Sequence, residues 1–279
     1  NIEQQHKLPF KSIESTPYRH YSRKNIGYLY AISNNAESIF DTDDDTIPYN
    51  NELSRLFVCD NVVGGSRSIN PYSFFTKEPV WPRGYDLSAL HIKPEYRQYK
   101  ETSIIGVWQG IIDSDSDFDA IYRLANNKHI QFEQNQDICI SHDCFAPFNT
   151  QSTLWNKHLY SLLYIPSTVD FRFTDILRGY IAQRIMWDYG FSLGFHAPNT
   201  FQVRNEHNYY HDLLDELTMY KCVPQLLDIL STISLTNESI EDDLLQCYSE
   251  LSKCNIVKES EMINVKNWIH DIKAIKNNI

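Results

Sequence analysis

The apolar residues of this chain change their spacing near residue 205, and that change constrains the fold more than any other feature. Upstream, short apolar runs at 37–40, 104–108, 138–140 and 191–195 alternate with Pro, Gly and Asp clusters, as strands and loops do. Two upstream stretches have helical spacing instead. One is 25–33, with Ile26, Leu29, Tyr30 and Ile32 on one face, and the other is 175–189, with Ile176, Tyr180, Ile181, Ile185 and Met186. Downstream the three- and four-residue spacing takes over at Leu213, Leu214 and Leu217, at Leu226, Leu227 and Leu230, and at Leu244, Leu245, Tyr248 and Leu251. Ser239-x-x-Asp242 forms a capping box ahead of the third set, and Met262, Val265, Ile269, Ile272 and Ile275 predict a final amphipathic helix. The pattern predicts an α/β body over 1–205 and an all-helical extension over 206–279. Apolar periodicity lets that extension pack on its own body or on a second copy as a homodimer.

Charge narrows the partners. With 25 Lys+Arg against 36 Asp+Glu, the formal net charge is −11, which argues against a nucleic-acid binder. No window approaches an uninterrupted apolar stretch of about 18 residues, and the N-terminal segment lacks the basic and apolar regions of a signal peptide. The six cysteines form no CxxC pair and read as free thiols in a reducing compartment, so a soluble cytoplasmic chain without a membrane span is expected. The chain begins with Asn1 rather than Met, which leaves an upstream anchor open.

The strongest chemical signal is Ser38-Ile-Phe-Asp41-Thr-Asp43-Asp44-Asp45, an apolar strand ending in four carboxylates within five residues. Like charges packed this closely repel unless solvent or a cation compensates. Such a set offers hard oxygen ligands to Mg²⁺ or Mn²⁺, while a solvated acidic loop is the plain alternative. An EF-hand is disfavoured, because the Gly and Glu at its sixth and twelfth positions are missing. A second acidic run, Asp113-Ser-Asp115-Ser-Asp117-Phe-Asp119, precedes a strand-like 120–124, and most of its carboxylates read as a solvated turn. Asp119, beside that strand, is the one expected in a pocket. Asp175 opens the second upstream helix, where it suits a capping role.

Several segments, in order over about 190 residues, resemble the STELLO-type glycosyltransferases, whose catalytic domain is of the nucleotide-sugar-binding GT-A class. They are 21–32 (YSRKNIGYLYAI), 39–45 (IFDTDDD), Asn70-Pro-Tyr72, Val80-Trp-Pro-Arg-Gly84, 115–123, 146–155 (APFNTQSTLW), 175–184 (DILRGYIAQR) and 202–207 (QVRNEH). The resemblance implies a GT-A mixed sheet flanked by helices and transfer of a sugar from a UDP-sugar donor to a glycan hydroxyl, with Mn²⁺ or Mg²⁺. Glucose and xylose are the donors to test first. It places Asp43 near the ribose and the metal, Asp45 on the metal, and Asp44 and Asp41 in support. Arg23, Lys24 and Asn25 would contact the base or diphosphate, as would Arg83 and Arg178, the latter pairing with Asp175 or the diphosphate. Trp81, Asn149, Gln151 and Trp155 would form the sugar and acceptor pocket. Asp175 would be the general base of an inverting reaction, with Asp119 the second choice, and His207 or His196 would complete the metal site.

The chain departs from the family in one respect: no strand and turn that would cradle the nucleotide base is evident ahead of Tyr21. Other arrangements are weaker. His207-x-x-x-His211 lacks the Glu of a zinc protease motif, the cluster Cys139, His142, Asp143 and Cys144 matches no standard zinc spacing, and there is no GxSxG elbow. The alternative of a different class is a sugar- or nucleotide-binding scaffold of the same fold that lacks turnover.

Overall fold

The computed structural model describes residues 2–49, 56–113, 116–126, 128–202 and 208–277. In chain order the elements are α1 (Ile2–Gln5), α2 (Ser12–Ser15), α3 (Lys24–Ser33), β1 (Ser38–Thr42), β2 (Thr46–Pro48), β3 (Val58–Gly64), β4 (Arg97–Asp113) and α4 (Ala120–Ala125). They continue as β5 (Ile138–Ile140), β6 (Ser152–Asn156), α5 (Thr174–Asp188), β7 (Phe191–Gln202), α6 (Tyr209–Thr232), α7 (Ile240–Lys253) and α8 (Glu261–Lys276). Short α1 and α2, rather than a strand, occupy the described residues ahead of Tyr21.

The strands form one mixed seven-stranded sheet in the order β1, β6, β4, β3, β5, β7, β2, with a further pairing of β4 to β7. Long β4 changes partner along its length: its first half runs antiparallel to β3, and its second half lies between antiparallel β6 and parallel β7. Val107 and Trp108, adjacent in β4, join different apolar clusters, as side chains alternating across a sheet must. The larger cluster holds the helices against one face of the sheet; the smaller gathers Cys59, Val62, Ile105, Trp108, Cys139 and Leu154. The architecture is the expected α/β arrangement with a helical extension.

Two local readings change. Residues 120–124, expected as strand, form helix α4, because Asp119 caps it by accepting the Tyr122 N–H at 2.7 Å. The leucines expected to line one face of the extension divide: Leu226, Leu227 and Leu230 are buried, whereas Leu214 and Leu217 are 62% and 39% exposed. In that first half of α6 the buried positions are Glu216, Met219 and Val223. The cap at Ser239 is present, its hydroxyl accepting the Asp242 N–H at 3.1 Å.

The extension is bound to its body by carboxylates as well as by apolar packing. Asp271 accepts the N–H groups of Lys11 and Ser12 at 2.9 and 2.8 Å, Glu241 accepts the Ser161 hydroxyl at 2.6 Å, and Asp243 accepts the Tyr189 hydroxyl at 2.8 Å. Glu261 accepts the hydroxyl of Tyr164 and the N–H of Ser167.

Candidate active site

β1 carries the chain to Thr42, and the next four residues turn back, the Thr46 N–H donating to the Asp43 carbonyl at 3.2 Å. β2 then pairs with the end of β7, Thr46 opposite Gln202. The acidic turn is thus pinned between two strand pairings. Since Thr42 lies opposite Ser152 in β6, residues 150 and 151 arrive beside the same turn. Around it lies a pocket of about 150 Å³ lined by Tyr21, Asp43, Asp45, Arg83, Asp117, Thr150, Gln151, Phe171, Arg172, Asp175 and Gln202.

Each carboxylate of the acidic turn has a different environment. Asp41 is buried under the pocket floor, accepting from Tyr28 at 2.7 Å and Arg178 at 3.0 Å and pairing with Lys24 at 2.9 Å. Asp43 accepts from Tyr21 at 2.8 Å and Lys24 at 3.0 Å. Burial raises its pKa, and Lys24 and the Tyr21 hydroxyl oppose that shift. Asp44 is exposed. Asp45 accepts from Gln202 Nε2 at 2.9 Å through Oδ2, while its Oδ1 is buried and has no partner among the described residues.

The opposite wall is an arginine clamp. Arg83 lies in the segment Trp81-Pro82-Arg83-Gly84, which is tied to the acidic run by a bridge from Pro82 to Phe118 and by the Arg83 N–H on the Asp117 carbonyl at 2.8 Å. Its guanidinium meets Asp175 through Nη1 and Nη2 at 3.0 and 2.9 Å and Asp117 through Nε at 3.0 Å. Burial opposes that positive charge, but the two carboxylates more than offset the cost and raise the Arg83 pKa well above its ordinary value. Asp175 sits in the first turn of α5 and also accepts the Ile176 N–H at 3.0 Å. Tyr21 and Phe171 meet edge to face at 5.4 Å on the pocket wall.

The expected site residues therefore separate into two groups. Asp43, Asp45, Arg83, Gln151 and Asp175 share the pocket, with Lys24 bonded to Asp43 beside it. The others take structural positions. Arg23 turns away to the carbonyls of Ile13 and Thr16 at 3.3 and 3.0 Å and stacks on Tyr18. Asn25 clips the backbone of Ile165 with bonds of 2.9 and 2.8 Å. Arg178 meets Asp41, not Asp175, and lies over the ring of fully buried Trp155 at 4.9 Å. Asn149 donates to Asp117 at 3.0 Å and accepts the Gln151 N–H at 2.9 Å, so it shapes the turn. Trp81 donates its indole N–H to Asp119, which is fully buried at the α4 cap, outside the pocket lining.

His196 is buried in β7 beside Trp108 and is not among the residues lining the pocket, and His207 lies outside the described residues. No group of three or more His, Cys, Asp or Glu residues arranged to hold a metal occurs among the described residues. The six cysteines are free, and no helix among the described residues is long and apolar enough to cross a membrane.

Tyr21, Asp117, Thr150, Phe171, Arg172 and Gln202 line the pocket without having been singled out as site residues. For Asp117 the acidic run was the available signal, and its position two residues before a helix cap was the missing information.

A family model described as STELLO glycosyltransferases matches residues 172–279, which run from Arg172 in the pocket through α5, β7 and the helical extension. Over 300 aligned residues the chain is 22% identical to Probable glycosyltransferase STELLO1 of Arabidopsis thaliana, covering 99% of this chain and 38% of that protein. The chain is similar to the STELLO glycosyltransferases. It is also 23% identical to Probable glycosyltransferase STELLO2 of the same plant, covering 99% of this chain and 39% of that protein. The STELLO-like chain thus spans under two-fifths of the length of either relative.

Proposed function

We propose that this STELLO-like chain carries the catalytic site of a glycosyltransferase of GT-A type, moving a sugar from a UDP-sugar to a glycan hydroxyl. The observation that carries this reading is the meeting of the strand-end carboxylates Asp43 and Asp45 with the clamped Asp175 across one pocket. Asp43 and Asp45 are the residues that would hold Mn²⁺ or Mg²⁺, and the unpartnered Asp45 Oδ1 fits that role. Two protein carboxylates leave the remaining positions to water and phosphate oxygens, as such hard cations require, and the ion would offset charge on the departing diphosphate.

The chain's own residues account for the rest. Arg83 fixes the orientation of Asp175 through two parallel bonds, and Asp175 is assigned to take the proton from the acceptor hydroxyl. Burial and the nearby carboxylates, Asp43 foremost, hold the Tyr21 phenol well above its ordinary pKa, so it stays a neutral donor to Asp43. Gln151 and Thr150 offer an amide and a hydroxyl to sugar hydroxyls, and Phe171, 56% exposed, offers a face for stacking.

The test is a panel of UDP-sugars, glucose and xylose first, screened for thermal stabilisation that requires Mn²⁺ or Mg²⁺ and then for donor hydrolysis and transfer. Asp45→Ala is expected to unfold cooperatively yet lose metal-dependent stabilisation and at least about 99% of transfer, the scale of losing a charge-stabilising group. Full transfer by that variant overturns the metal assignment. Metal-dependent donor binding without turnover, in the presence of a range of acceptors, identifies a scaffold instead.

A further inference from the structure

Two guanidinium groups line the pocket, and they are engaged differently. All three nitrogens of Arg83 bond Asp117 or Asp175. Among the described residues Arg172 hydrogen-bonds a carboxylate only through its Nε, which meets Glu216 at 2.5 Å. Its Nη2 and Nη1 lie 4.0 Å from Asp117 and 3.8 Å from Asp212, beyond hydrogen-bond reach. Arg172 is therefore the pocket cation with donors to spare, in a pocket lined by four aspartates that an anionic ligand would otherwise find repulsive.

What holds Arg172 comes from the helical extension. Glu216 is fully buried in α6, and its second oxygen accepts the Ala120 N–H at 2.8 Å and the Tyr220 hydroxyl. Burying a carboxylate costs several kcal/mol unless it is paired and hydrogen-bonded; here the Tyr220 bond lies within α6, and the bonds from Ala120 and Arg172 brace α6 against α4 and the segment just ahead of α5. An arginine gripped through Nε keeps a planar pair of Nη groups for an incoming anion.

We propose that Glu216 is a positioning residue of the site, holding Arg172 so that its free Nη groups bind phosphate oxygens of the nucleotide sugar. This rests on the nucleotide-sugar reading for the identity of the anion. It makes the helical extension part of the donor site.

The experiment is calorimetric titration of the whole chain with UDP and, separately, with inorganic pyrophosphate, each with Mg²⁺. Wild type is compared with Arg172→Gln, Arg172→Lys, Glu216→Gln and the double variant Arg172→Gln/Glu216→Gln. Arg172→Gln is expected to weaken binding about tenfold or more, the loss of a charged hydrogen bond, and Glu216→Gln by a smaller factor. In the double variant Glu216→Gln should add nothing, because it acts only through Arg172. Equal weakening by Glu216→Gln with and without Arg172 would mark a merely structural role and overturn the proposal.

Should Glu216→Gln fail to fold, Arg172→Lys decides. It keeps the charge and the partner of Glu216 but loses the planar donor pair, so wild-type affinity in that variant overturns the proposal. Pyrophosphate binding with the predicted dependence, beside no binding of UDP, upholds Arg172 and Glu216 as an anion site and refutes the nucleotide donor. Binding of neither by wild type refutes both.

Discussion

Asp119 shows how a carboxylate outside the pocket lining can carry a pH dependence of folding. Burial raises its pKa to about 7, against the hydrogen bonds from Tyr122 and Trp81, with Glu216 and Asp117 adding to the rise. An acid raised on folding stabilises the protein fully below its unfolded value of 3.8 and loses that contribution as pH rises through about 7. The slope between those limits approaches about 1.4 kcal/mol per pH unit. Asp119→Asn keeps a cap residue but removes the titration. Its unfolding free energy relative to wild type should therefore improve from pH 5 to pH 7 by about 2 kcal/mol in denaturant titrations. A difference that stays flat across that range would show that Asp119 does not titrate there.

Elements explain why the pocket has the shape it does. Gly84 has φ +85°, and a Cβ on it would lie 2.5 Å from Ile176 Cγ2. The Trp81–Gly84 segment can lie flush on α5 only for that reason, and flushness is what brings Arg83 to Asp175. Gly84→Ala should cost about 2–4 kcal/mol through backbone strain and overpacking, and should weaken donor binding because Arg83 moves with its neighbour. Gly27 is the contrast: it is exposed in α3 with nothing within 4 Å of a built Cβ. Gly27→Ala should raise stability by about 0.5–1 kcal/mol and leave binding unchanged. Chemical denaturation of both variants, with nucleotide titration alongside, checks the pair; a destabilised Gly27→Ala or a neutral Gly84→Ala would refute the respective argument.

At the scale of the whole molecule the helical extension and the α/β body share one core. Leu226, Leu244, Tyr248, Leu251 and Trp268 belong to the same apolar cluster as Val107, Trp155 and Leu177, and Tyr164 packs against both Tyr248 and Trp268. Cutting the chain after residue 205 would strip that surface and leave the Arg172 guanidinium without Glu216. The shortened chain is expected to lack a cooperative thermal transition and a structured near-ultraviolet dichroism spectrum. A sharp transition in that fragment would show that the body folds by itself. The carboxylates Glu216, Glu241, Asp243, Glu261 and Asp271 are all buried, so charge placement, not apolar periodicity alone, fits this extension to this body.

The types and approximate places of most elements could be read from residue order, because strand alternation, helical spacing and caps such as Ser239 act between near neighbours. The strand-end carboxylates at 41–45 were legible for the same reason, and the order of motifs carried the resemblance to the STELLO glycosyltransferases. Partnership was not legible. Arg178 reaches Asp41 across 137 positions and Arg83 reaches Asp175 across 92, while Arg172 finds Glu216 in a helix that spacing alone had turned toward its leucines. Local sequence sets backbone and caps, but which cation meets which carboxylate depends on the segments that packing brings together and on the oxygens already taken. Only the tertiary structure could therefore decide that Asp175 is clamped by Arg83, that Trp155 lies beneath Arg178, and that one pocket arginine is held from the helical extension.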